Sequence, residues 1–280
     1  MPGLTTEFRH TLRRLRGQIL GWGIGLALYG LMMGAMYDTV NNIEGIEAML
    51  ATYPKELWAF FGDMMNLTTP AGYFGTYYSS YMPIIVGIFA VGAAAGLLAG
   101  DEERGTLDLT LAYPVSRAGV FLGRWLGFAV ASALILFIGY LGWAVTLPMT
   151  TMDVTAMSLA LPFIPIWSIL MLFGALALLL SLVLPSARMA SMTAGGLLVA
   201  NYLLAGLANL NEGLRPITDL LPYAWFQGGD ALDGLNRTWI AGLLAVSLLL
   251  TAAAWFFFRR RDIRVGGERG WSWGLRLRGG

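Results

Sequence analysis

Leu159-Ala-Leu-Pro-Phe-Ile-Pro-Ile-Trp-Ser-Ile-Leu-Met-Leu-Phe-Gly-Ala-Leu-Ala-Leu-Leu-Leu-Ser-Leu-Val-Leu184 runs for 26 residues without an Asp, Glu, Lys or Arg. Pro185-Ser-Ala-Arg-Met189 follows, and then Ala190–Leu210, again uncharged. A helix needs about 20 apolar residues to cross a hydrocarbon core. Pro185 stops one helix and Arg188 resists burial, so the five residues read as a tight hairpin between two spans. Working outward, four more stretches meet the length: Gln18–Tyr37, Tyr77–Gly100, Trp125–Thr146 and Trp239–Phe258. The composition agrees: 57% hydrophobic and 12% charged over 280 residues, with a mean hydropathy of +0.64. A soluble domain carries about 25% charged residues. The expectation is an all-α integral membrane protein with six transmembrane helices between residues 18 and 258. A net charge of +1 gives no field for a nucleic-acid partner.

Fifteen of the eighteen Lys and Arg residues fall on one side if the N-terminus is placed in the cytoplasm; only Lys55, Arg215 and Arg237 fall outside. That bias places both termini inside. Residues 1–17 read as an amphipathic helix on the inner leaflet. Leu4, Phe8, Leu12, Leu15 and Ile19 form its apolar stripe, with Arg9, Arg13, Arg14 and Arg16 elsewhere. Residues 259–280 form a basic tail. In the outer loop 38–76, Leu57, Phe60, Phe61 and Met64 have helical spacing. Residues 211–238 are too apolar for a plain loop and are broken by Pro216, Pro222 and Gly228-Gly229; short helices dipping into the bilayer fit them.

No catalytic or metal-binding set is legible. The chain has no cysteine and a single histidine, His10, which disfavours thiolate sites, zinc enzymes and Ser-His hydrolases. Its one lysine, Lys55, sits in Tyr-Pro-Lys-Glu-Leu, so there is no P-loop for ATP. The apolar stretches hold no ionisable Asp, Glu, Lys or Arg, which disfavours proton coupling.

The segment with most identity lies between the second and third spans: Asp101-Glu-Glu-Arg-Gly-Thr-Leu-Asp-Leu-Thr-Leu-Ala-Tyr-Pro-Val-Ser-Arg117. Asp101, Glu102 and Glu103 end the second span at the inner surface. Thr106 can cap a short helix over Leu107–Ala112, Pro114 stops it, and Ser116 can cap the third span. Leu107 and Leu111 share one face and Asp108 lies on the other.

This loop resembles that of the permease subunits of ATP-binding-cassette (ABC) exporters of the second type. Glu103-Arg-Gly-Thr-Leu107, then Leu109 and Leu111, then Pro114-Val-Ser-Arg117 carry the resemblance. Thr110 and Tyr113 interrupt a leucine run that is often smoother. The resemblance implies a cytoplasmic coupling helix between helices 2 and 3, seated on a separate ABC ATPase. Two ATPase copies and a second permease copy, identical or different, would complete the unit. ATP and Mg would then be bound by the partner, with no cofactor on this chain. The resemblance implies apolar contact by Leu107, Leu109 and Leu111. It also implies charge pairing by Glu102, Glu103, Arg104 and Asp108 with the ATPase or the neighbouring inner helix, and pairing of Arg117 with one of these acids. Gly105, Thr106 and Pro114 shape the loop.

The second and fifth spans of that family commonly line the path, which points to Tyr77, Ser80, Tyr81, Asn201 and Tyr202 here. Intramembrane Asn and Ser also simply bond neighbouring helices. The spacings Gly21/Gly25, Gly30/Gly34 and Gly92/Gly96 allow close packing, and Pro162 and Pro165 are expected to kink the fourth span. The reading is of a prokaryotic plasma-membrane exporter of apolar or amphipathic cargo, not itself an enzyme. An ATP-independent channel or sodium-coupled carrier, and a scaffold or immunity protein, are the alternatives.

Overall fold

The computed structural model describes residues 2–43, 52 and 66–260. The stripe Leu57, Phe60, Phe61 and Met64, and the tail beyond Arg260, lie outside the described residues. Six helices are long and apolar enough to span a membrane, and no strand occurs among the described residues.

Helix α1 runs Leu4–Asn41 without a break. The amphipathic stretch is therefore not a separate helix, but the first third of an element about 57 Å long. Its buried stripe is also not the purely apolar one: Glu7, Thr11, Leu15, Ile19 and Leu26 face the protein. The second span begins earlier than the stretch Tyr77–Gly100 assigned to it. Helix α2, Pro70–Phe74, opens on Pro70, with the Thr69 hydroxyl accepting from Gly72 N at 3.1 Å. A π-turn over Gly75–Ser79 leads to α3, Met82–Ala95. Pro83 lies in the first turn of α3; its ring would meet the carbonyl four residues back in a regular helix, and the wider turn avoids this.

Past Gly96 the chain makes a turn into α4, Ala99–Glu103, and then α5, Leu107–Ala112. Gly105, at φ 67°, makes the left-handed step between them, which a residue with a Cβ adopts at a cost. Helix α6, Arg117–Ala144, follows, with Ser116 Oγ accepting from Gly119 N at 3.0 Å.

Helices α1 and α6 run parallel and touch along most of their length. The seam is built on α6: a methyl at Gly123 would fall 2.6 Å from the Leu4 carbonyl oxygen, and one at Gly127 would fall 2.8 Å from Thr11 Cβ. At Gly142 it would strike the Ala27 carbonyl. Small residues four apart let backbones approach this closely. Of the glycine pairs expected to pack, Gly30 and Gly34 meet Trp143 and Thr146, whereas Gly21, Gly25 and Gly92 have nothing near them.

Helix α7, Ala156–Ala160, has a Thr155/Ser158 capping box, and α8, Phe163–Val183, begins after Pro162. The two prolines therefore do not kink a continuous fourth span: Pro162 separates two helices and Pro165 sits in the first turn of α8, where its missing N–H costs nothing. Helix α8 is the centre of the bundle. It packs against α3, α6, α9 (Ala187–Leu210) and α11 (Arg237–Arg260). It is apolar all round, as a buried helix must be. The predicted hairpin is there, with Ser186 capping α9. Ser247 of α11 donates to Met171 O at 3.0 Å.

The outer segment between α9 and α11 folds into short turns, including α10, Arg215–Thr218. Gly229 sits against Gly75 of the π-turn, and Ala231 and Leu232 are buried. The outward faces of α1, α9 and α11 carry exposed apolar side chains such as Leu28, Met192 and Leu249, which suits lipid.

Candidate functional site

The inner loop places its side chains on two sides. Leu107 is 1% exposed and Leu111 packs behind it, so both belong to the core of the chain. Leu109 is 65% exposed and Tyr113 71%. The three leucines thus do not form one contact surface. The free face of α5 is Leu109, Ala112 and Tyr113, spaced i, i+3, i+4. Asp108 and Glu102 are half-buried, Pro114 is exposed, and Gly105 makes the turn already described. Thr106 stands at the N-cap position without capping: its hydroxyl donates to Asp101 O at 3.2 Å.

The charged residues mostly tie the loop to its own bundle. Glu103 accepts from Ala187 N at 2.6 Å, at the start of α9, where a carboxylate suits a helix N-terminus. Arg104 reaches Asp101 at 3.8 Å. Arg117 donates to the Phe258 and Arg259 carbonyls at the end of α11, at 3.5 and 3.2 Å.

Above the loop lies a cluster that the sequence reading did not single out. Arg124 of α6, 3% exposed, donates to Glu7 Oε2 at 2.8 Å and Leu97 O at 2.6 Å, and its Nη1 forms an ion pair with Asp101 Oδ2 at 2.8 Å. Arg14 of α1 donates to Asp101 Oδ1 at 3.0 Å and Gly96 O at 2.9 Å. The Gly96 and Leu97 carbonyls lie at the break after α3, beyond the reach of a regular ladder. Two carboxylates face the guanidinium groups of Arg14 and Arg124 there, with Arg104 at the exposed edge, and this pairing is what allows charge to be buried. In the sequence Arg124 stands at the edge of an apolar run and reads as a topology charge. Gly123 and Gly127 beside it, on a four-residue spacing, were the signal that this face of α6 is inside.

The five path residues separate. Ser80 and Tyr202 line a cavity of about 560 Å³ at the outer end, with Asn209, Arg215, Asp219 and Gln227 among its walls. Asn201 is buried and accepts from Tyr223 N at 2.8 Å, so it anchors the outer segment. Tyr223 donates to Ser80 O at 2.5 Å. Burial, and secondarily the Tyr202 phenol, push the Tyr223 phenol well above its ordinary value of 10, so it keeps the proton that bond uses. Tyr77 and Tyr81 turn the other way, toward α1. Tyr29 donates to Tyr77 O at 2.7 Å and its hydroxyl pairs with that of Tyr81. Tyr81 and Tyr29 border a smaller cavity of about 250 Å³.

The arrangement offers an inner loop with one exposed apolar face, and a polar cavity at the far end. A family model described as ABC-2 family transporter protein matches residues 4–263. No curated protein matches the chain.

Proposed function

The chain belongs to the ABC-2 transporter family, as a multi-pass membrane permease, and we propose that it is the transmembrane subunit of an ATP-driven exporter. Its ATPase, binding ATP and Mg, is a separate chain, and two ATPases act with two permease copies in a prokaryotic plasma membrane. The observation that carries this reading is α5. The loop around it is tied inward by Leu107, Asp101 and Glu103, yet Leu109 and Tyr113 are held out in water. An exposed apolar face on a braced helix is what a docking element needs. The outer cavity, polar within an apolar bundle, supports an amphipathic cargo. Ser80 and Tyr202 are the residues of the proposed path that reach it; Asn201 positions its wall through Tyr223, whereas Tyr77 and Tyr81 face α1.

Leu109→Arg tests the reading. The variant is expected to insert and melt as the parent does, because the side chain is exposed. It should lose co-purification with the host's ABC ATPase, and with it the ATPase activity of the complex. Undiminished association would overturn the docking assignment. Nucleotide-independent flux through the isolated chain in vesicles would overturn the ATP-driven mechanism.

A further inference from the structure

We infer that Arg124 is a positioning residue that welds the docking loop to α1 and α6, so that these three move as one body while α9 is left behind. The inference rests on the permease reading above. Asp101 is the junction. Its backbone carbonyl accepts from Thr106 N at 2.9 Å and from the Thr106 hydroxyl at 3.2 Å, which fixes the start of α5. Its carboxylate forms an ion pair with Arg124 through one oxygen and accepts from Arg14 on the other. A displacement of α5 therefore arrives at two helices through one residue.

Arg124 is built for the role. The guanidinium is a rigid planar fork with five donors. Here it meets acceptors from three elements at once: Glu7 on α1, Asp101 on α4 and the Leu97 carbonyl after α3. A lysine could not span them with one ammonium. The glycine seam then extends the junction: with Gly123 and Gly127 lodged on the α1 backbone, neither α1 nor α6 can shift alone.

The tie to α9 is of another kind. Glu103 on Ala187 N is a single bond at an exposed position, where water replaces it at little cost. The loop is thus held by a dry, multiply bonded junction on one side and a wet, single bond on the other. Displacement goes through the first and breaks the second.

Hydrogen–deuterium exchange tests this in two arms. In the isolated chain, Arg124→Gln should raise exchange across residues 99–112 on the order of tenfold or more, since the loop loses its anchor. Unchanged exchange there overturns the clamp. In the complex with the ABC ATPase, adding a non-hydrolysable ATP analogue to the parent should change exchange at α5 and at the inner ends of α1 and α6. In Arg124→Gln, still co-purifying, the change should stop at α5. A change that reaches α1 and α6 equally in the variant overturns the clamp and leaves the permease reading intact. No nucleotide-dependent change at α5 in the parent overturns the permease reading, and the transmission role with it. If Arg124→Gln fails to insert, Asp101→Asn, isosteric and neutral, is carried through both arms with the same expectations.

Discussion

The two ends of this bundle are held by different forces. At the inner end, buried ions and backbone carbonyls meet at 2.6 to 3.0 Å. At the outer end, aromatic rings do the packing: Phe74 and Tyr78 lie 5.0 and 5.5 Å from Trp143. Thr76 Oγ1, Tyr78 OH and Ser79 Oγ, all in the π-turn, have no hydrogen-bond partner among the described residues. Directional, charge-assisted bonds define one geometry. Ring contacts and unpaired hydroxyls define it more loosely. The contrast is what the exporter proposed above, driven from the inside and opening at the outside, would use.

The sharpest way to break this contrast is to remove the central cation. Arg124→Leu keeps an apolar stem at the site but takes away the guanidinium that Glu7 meets and leaves Asp101 to the more exposed Arg14 and Arg104. Breaking a buried ion network from one side costs about 3–5 kcal/mol. The variant should therefore melt well below the parent in detergent, or fail to accumulate. A melting temperature within a degree or two of the parent would show that water reaches the cluster and that the inner end is not the rigid one.

A smaller effect separates the two faces of α1. Gly127→Val on α6 would drive a branched side chain into Thr11, for an overpacking cost of about 1–3 kcal/mol. Gly21→Val meets open space and should cost no more than helix propensity dictates, a few tenths of a kcal/mol either way. Comparing the two melts measures the seam directly. Equal losses would mean that the α1–α6 contact is not as tight as the backbone spacing implies.

Much of this architecture was written plainly in the chain. Uncharged runs gave the six spans, Pro185 gave the hairpin, and Thr106 to Ser116 gave a helix over Leu107–Ala112. These signals are local, and local chemistry reads well. What failed to read was always a question of facing. Leu107 and Leu109 are equally apolar, and nothing in their spacing says that the first turns inward and the second outward. Arg124 and Asp101 looked like charges stationed at a membrane boundary, because pairing between residues 23 positions apart in sequence leaves no periodic trace. Glu7 stands outside the apolar stripe Leu4, Phe8, Leu12, Leu15 and Ile19, yet it is buried. Pro70 starts the second span ahead of Tyr77 because a proline-led, threonine-capped turn needs no apolar run. The candidate docking face was therefore legible as a segment, while its outward surface and its anchor were not.

The finest test lies at the outer end. Tyr78 is fully buried against Trp143, Phe74 and Phe163, yet its hydroxyl meets no protein acceptor among the described residues. Tyr78→Phe removes only that oxygen and keeps every ring contact. Burying an unpaired hydroxyl is unfavourable, on the order of 1–3 kcal/mol. The substitution should thus leave stability unchanged or raise it slightly, the opposite sign to any substitution at Arg124. A loss of 1 kcal/mol or more would mean that the hydroxyl is bonded after all. The outer end would then be held by polar networks of the same kind as the inner one, and the contrast between them would fall.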